Sequence, residues 1–156
     1  MELRQDSLGF LLADISRLMR CAFQQRLEGS SLTLAQARAL IYVSRNEGVR
    51  QVDLAEMLEV QPITLARLID QLADAGLVER RSDPADRRAY QMFLTPAAAS
   101  HLGAIKQVAA AIQADALRDL DEQQAATVFF ALRKMRENLA RGDNSRKNTI
   151  PGVTCS

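Results

Sequence analysis

The chain has no tryptophan, two tyrosines, five phenylalanines and one histidine among 156 residues. With so few aromatics the core must be aliphatic and alanine-rich, which favours packed helices over sheets. Its two cysteines, Cys21 and Cys155, stand far apart and form no motif. That arrangement is what a reducing cytoplasm permits. Cys21 lies among apolar residues of an expected helix and reads as a buried, inert thiol. No apolar run approaches the roughly 20 residues of a membrane span. The opening MELRQDSLGF has no basic segment leading into an apolar one, so no secretory signal and no membrane partner are expected. There is no Cys/His cluster with metal spacing and no glycine-rich phosphate loop. His101, alone on a helix, reads as a surface or satisfied residue. No cofactor, metal or catalytic constellation is expected, and hence no enzyme.

Charge is nearly balanced, at a formal +1. Between Gln51 and Met92 the basic residues are Arg67, Arg80, Arg81, Arg87 and Arg88. The same stretch holds Asp53, Glu56, Glu59, Asp70, Asp74, Glu79, Asp83 and Asp86. Bulk charge therefore opposes nucleic-acid binding. Only focused placement of arginines could support it.

Apolar periodicity predicts a helix over 8–27, broken at Gly29-Ser30-Ser31. Thr33-Leu34-Ala35-Gln36 is a capping box opening a second helix that ends at Asn46-Glu47-Gly48. A short third helix fits 52–58, with Leu54, Ala55 and Leu58 inward. Pro62 opens a fourth helix, 62–75, that stops at Gly76. Ile63, Leu65, Leu68, Ile69 and Leu72 form its apolar stripe. Two strands, 77–81 and 89–94, flank the turn-rich Ser82-Asp83-Pro84-Ala85-Asp86 and make a hairpin. Thr95-Pro96 reads as cap and first residue of a helix running to about Leu120. Asp121 and Gln124 cap a last helix that fades at Arg141-Gly142. The tail beyond reads as disordered.

Two short helices joined by a tight turn and followed by a hairpin describe a winged helix-turn-helix. Its second helix would enter the major groove of double-stranded DNA. Gln61, Thr64, Arg67 and Gln71 fall on the outward face of that helix, and Arg and Gln can pair bidentately with base edges. The tip, with Asp86, Arg87 and Arg88, could enter a narrow minor groove, where negative potential is focused. Asp86 could hold Arg88 in a fixed pose. Taken singly, these residues also fit a solvated helix face and a surface turn with a weak ion pair.

The runs LTLAQARAL (32–40), QPITLARLIDQL (61–72), GLVERR (76–81), DPADRR (83–88) and LTP (94–96) resemble the MarR/SlyA family of regulators in order and spacing. The resemblance covers residues 8–139. It implies a mainly α fold with a small β-hairpin wing. It also implies a homodimer with interleaved terminal helices, a pseudo-palindromic operator and a small aromatic or lipophilic effector. Thr64 and Arg67 match contact positions of the recognition helix (61–75), and Arg87 and Arg88 match the wing (82–88). Asp86 matches the acidic residue of the wing motif. Ala66 stands where many relatives carry Ser or Thr. Gly9 stands where peroxide-sensing members carry a reactive cysteine. The organisation expected is a dimerisation helix in 1–32, a DNA-binding domain in 33–95, dimerisation helices in 96–141 and a tail in 142–156. The function expected is that of a ligand-responsive repressor in the cytoplasm. The alternative is a winged-helix protein-contact module that binds no specific DNA sequence.

Overall fold

The computed structural model describes residues 7–147. In chain order the elements are α1 (Leu8–Leu27), α2 (Leu34–Arg45), β1 (Val49–Arg50), α3 (Gln51–Leu58), α4 (Pro62–Asp74), β2 (Val78–Asp83), β3 (Asp86–Leu94), α5 (Ala98–Ala116) and α6 (Glu122–Lys147). The fold is the expected one: mainly helical, with a small antiparallel sheet as the wing.

Local chemistry accounts for most boundaries. Thr33 Oγ1 accepts from Gln36 N at 3.2 Å while Gln36 Oε1 accepts from Thr33 N at 2.9 Å, the reciprocal capping box that opens α2. Asp121 and Gln124 repeat the device at α6. Pro62 occupies the first turn of α4, and Gly76 just past its end sits at φ 71, in the left-handed region. The turn from α3 to α4 is closed by Glu59 at φ 55, whose N–H donates to the carbonyls of Ala55 and Glu56.

Several features differ from the sequence reading. A two-residue strand, β1, pairs with β3 and turns the hairpin into a three-stranded sheet of order β1-β3-β2. Thr95 does not cap α5, because its hydroxyl donates to the Gly76 carbonyl instead, and α5 starts only at Ala98. That helix ends at Ala116, short of Leu120. Helix α6 runs on through Gly142 to Lys147. The rest of the expected tail, with Cys155, lies outside the described residues.

The chain divides near Gln113 into two compact units. The core of the first joins Ala37, Leu40 and Val43 of α2, Leu54 and Leu58 of α3, and Leu65, Leu68, Ile69 and Leu72 of α4 to Val78, Met92, Leu102 and Ile105. Ile63, expected in that stripe, is instead 63% exposed. Two long helices contrast with this core. Among the residues whose burial is described, neither α1 nor α6 buries one. On α1, Leu8, Phe10, Leu11, Leu12, Ile15, Leu18 and Met19 face solvent. So do Val128, Phe129, Phe130, Leu132 and Leu139 on α6. Cys21 is exposed, not buried as expected, because it shares the open surface of α1. Among the described residues no helix is long and apolar enough to cross a membrane.

Candidate nucleic-acid interface

Helix α4 buries Leu65, Leu68, Ile69 and Leu72 and so turns Gln61, Thr64, Arg67 and Gln71 outward, all exposed as expected. Gln61 is the N-cap residue, but its side chain makes no capping bond. Gln71 is engaged, since its Oε1 accepts from Gln36 Nε2 at 3.2 Å. Ile63 joins this outward face beside Thr64, a residue that the sequence reading had assigned to the core.

The wing is tighter than expected. Strands β2 and β3 extend to Asp83 and Asp86, leaving Pro84-Ala85 as the turn. Pairing then steps from Ser82↔Tyr90 to Asp83↔Asp86, so Arg87, Arg88 and Ala89 have no partner on β2. A bulge of this kind re-aims side chains away from the sheet, and Asp86, Arg87 and Arg88 are exposed. Asp86 Oδ1 accepts from the Arg88 backbone N–H at 3.0 Å. It therefore fixes the loop backbone, not the Arg88 guanidinium as expected.

What holds the wing in place is a second set of arginines. Arg50 Nε donates to Asp83 Oδ2 at 2.7 Å, and the Ala85 N–H donates to Asp83 Oδ1 at 2.9 Å. Asp83 is buried, at 6% exposed. The Ala85 N–H and then Arg50 hold its carboxyl below the usual carboxylate range, and Asp83 in turn raises Arg50. Arg81 stacks over the Phe93 ring, 4.0 Å from its centroid, and pairs with Glu79. Arg80 pairs with Asp70 at 2.7 Å. Arg50 and Asp83 escaped the sequence reading as anchors, because the pairing spans 33 positions and no local spacing marks it.

A carboxylate lowered in the folded state stabilises above its unfolded pKa of about 3.9, and that contribution is lost as pH falls through the lower folded value. The Ala85 amide resonance should therefore titrate with a midpoint below the ordinary aspartate range, and Arg50→Ala should move the midpoint up. A midpoint at the ordinary value in both proteins would contradict this anchor.

The arginines of the winged region thus divide into two sets. Arg50, Arg80 and Arg81 pair within the protomer with Asp83, Asp70 and Glu79. Among the described residues no ion pair or side-chain hydrogen bond engages Arg67, Arg87 or Arg88.

A family model described as the MarR family matches residues 30–89, the helix-turn-helix and most of the wing. A crystal structure of MarR is 28% identical and superposes with a TM-score of 0.81 over 93% of this chain and 99% of that one.

The chain is similar to MarR regulators in fold and in the sequence of its winged region. A MarR transcriptional regulator from Methanosarcina mazei Go1 is also similar, at 26% identity, a TM-score of 0.77 and coverage of 86% and 96%. The regulator SlyA, at 24% identity and a TM-score of 0.69, shares the fold. A Thauera aromatica protein named for transcriptional regulation of the hcr operon is 27% identical over 93 residues, 60% of this chain and 56% of that protein. That match thus spans little more than half of the relative's length.

An open groove of about 360 Å³ lies between α1 and α2, walled by Leu12, Ile15, Met19 and Phe23 with Arg20 and Arg38 among its lining. Arg20 Nη1 donates to Ser16 Oγ at 2.7 Å. Arg17 is not part of it and pairs with Asp14 at 3.7 Å.

Proposed function

We propose that the chain is a homodimeric, sequence-specific DNA-binding regulator, a ligand-responsive repressor acting in the cytoplasm on a pseudo-palindromic operator. The observation that carries this reading is the division of the arginines: three are held by acidic partners of the fold, while Arg67, Arg87 and Arg88 are exposed and, among the described residues, unpaired on one helix and one bulged wing. In this reading α4 enters the major groove with Gln61, Thr64 and Arg67 at the base edges, and Gln71 follows one turn on. Ile63 offers an apolar contact to a thymine methyl. Arg87 and Arg88 enter the adjoining minor groove, and Asp86 shapes their loop.

Dimerisation is supported by α1 and α6, two long helices with exposed apolar residues and, among the described residues, none buried. Monomeric proteins seldom leave such surface bare. Closed two-fold pairing would cover it and place two equal recognition helices on two half-sites. The organisation follows: dimerisation helices at 1–32 and 96–141 around a DNA-binding domain at 33–95.

The groove between α1 and α2 suits a small aromatic or lipophilic acid, with apolar walls for its body and Arg20 or Arg38 for its carboxylate. A benzoate-class acid should bind saturably and release DNA by favouring one dimer geometry over another. Arg38→Gln should weaken that binding roughly tenfold or more, the worth of one charge-assisted hydrogen bond. Calorimetry without saturable heat would remove the groove from the account.

The function is tested by selecting bound genomic fragments with the purified protein at near-physiological salt. A recovered motif with two-fold symmetry and half-sites about one helical turn apart is expected. Recovery of nothing beyond non-specific fragments would favour a protein-contact module.

A further inference from the structure

We propose that Arg80 is a positioning residue that fixes the recognition helix against the wing, and so sets the register between major-groove and minor-groove contacts within a half-site. The inference rests on the DNA-binding reading above.

Strand alternation places Arg80 between Val78 and Ser82 on one face of β2, directly opposite the fully buried Met92. That row faces the helices, and an aliphatic side chain would be the ordinary occupant. Instead an arginine side chain lies there, 27% exposed. Its Nε donates to Gln51 Oε1 of α3 at 3.2 Å. Its Nη2 donates to the Ala66 carbonyl of α4 at 3.3 Å and pairs with Asp70 Oδ1 at 2.7 Å. One side chain from the wing strand thus holds two helices.

A guanidinium is planar, and its donors leave in fixed directions. Three acceptors on two helices can be served together at one relative placement of β2, α3 and α4, not over a range of placements. Ala66 and Asp70 lie one turn apart on α4 and bracket Arg67, the residue assigned to base reading. A rotation or slide of α4 that moved Arg67 along the groove would break both contacts. Arg80 itself does not join the outward set. Its neighbours Arg81, over Phe93, and Arg50, on Asp83, secure the rest of the wing. An ordinary stabilising ion pair would need one acceptor. The fork onto a mid-helix carbonyl, a carboxylate and an amide points to orientation.

The test uses Arg80→Met and Arg80→Lys in the full-length dimer. Lysine keeps the charge and the reach to Asp70 but cannot serve three acceptors in a plane. Operators recovered by the wild-type protein are rebuilt with an A-tract introduced at the flank of each half-site, either in the register that binds best or moved outward by one base pair. Wild type should lose about tenfold in affinity for the moved tract, since groove shape must match the wing. Arg80→Lys should lose less, and Arg80→Met least, so that discrimination falls in that order whatever the total affinity. A pure stability defect would lower Tm and affinity for both operators by the same factor and leave their ratio unchanged, which would overturn the proposal.

A second readout needs no DNA. Spin labels at Ala75→Cys and Ala85→Cys, in a Cys21→Ser, Cys155→Ser background diluted with unlabelled protein, report the separation of α4 from the wing. The distance distribution should be narrow with Arg80 and broader with either variant. An unchanged width would contradict the proposal. If wild type recovers no operator, the DNA-binding reading fails while the label distances still decide the role of Arg80. If Arg80→Met does not fold, Arg80→Lys carries both measurements.

Discussion

Arg88→Ala should abolish most operator binding while leaving melting temperature and oligomeric state unchanged. The side chain has no partner within the described residues, so its removal breaks no internal contact. Its loss would fall on the DNA alone, at about 1–3 kcal/mol per wing. Both wings of a dimer carry the change, so the dissociation constant should rise by roughly 30-fold to 10⁴-fold. The salt dependence should flatten as well, because fewer counterions are released when a positive charge is withdrawn from the groove. Arg67→Ala should behave differently. A residue reading a base edge loses preference at one position of each half-site, whereas a phosphate contact weakens all sequences alike. Binding to a randomised half-site library separates the two. An Arg88→Ala protein with an unchanged dissociation constant would remove the wing from the interface.

The second large effect concerns α6. Leu132→Glu puts a carboxylate at the centre of an apolar face that the protomer leaves bare, from Val128 and Phe129 to Leu139, which is 77% exposed. In an isolated protomer that change would cost little, because the side chain is already wet. Across a two-fold interface it would place two like charges in a desolvated seam, where an unpaired charge is strongly opposed. Sedimentation should therefore show a dimer for wild type and a monomer for the variant. Operator affinity should fall by about 10²–10⁴, the gain that linking two half-site contacts provides. A variant that remains dimeric would place the interface elsewhere.

Which parts of this architecture could be read from the sequence follows from the range of the forces involved. The capping pairs Thr33–Gln36 and Asp121–Gln124 are local hydrogen-bonding patterns, and both formed where the sequence put them. Pro62 and Gly76 act through their own backbone preferences and bounded α4 correctly. The run of alanines near the end of α5 holds no such signal, and the expected boundary at Leu120 missed the end at Ala116. Strand β1 has two residues, too short for any alternation to show. Ile63 was read as core from its spacing, but it sits in the first turn of α4, ahead of the residues that the core covers. Cys21 shows a related error, since apolar neighbours signal that a surface prefers cover and do not say that the same protomer supplies it.

The outward face of α4 and the arginines of the wing were legible because helical spacing and a turn motif are short-range. Their anchors were not. Arg80 counted as one more basic residue until the register set it opposite Met92, facing the helices. Arg50 and Asp83 meet only when β1 adds to the sheet. Sequence position distinguishes none of these from Arg87 or Arg88. The difference lies in which arginines find acidic partners inside the fold.

The most direct measurement is a hydroxyl-radical footprint of the purified dimer on a recovered operator. The account predicts protection related by two-fold symmetry, with two major-groove faces about one helical turn apart. Each should be flanked by a protected minor-groove segment that disappears with Arg88→Ala. A one-sided footprint, or symmetric protection whose flanks persist without Arg88, would contradict it.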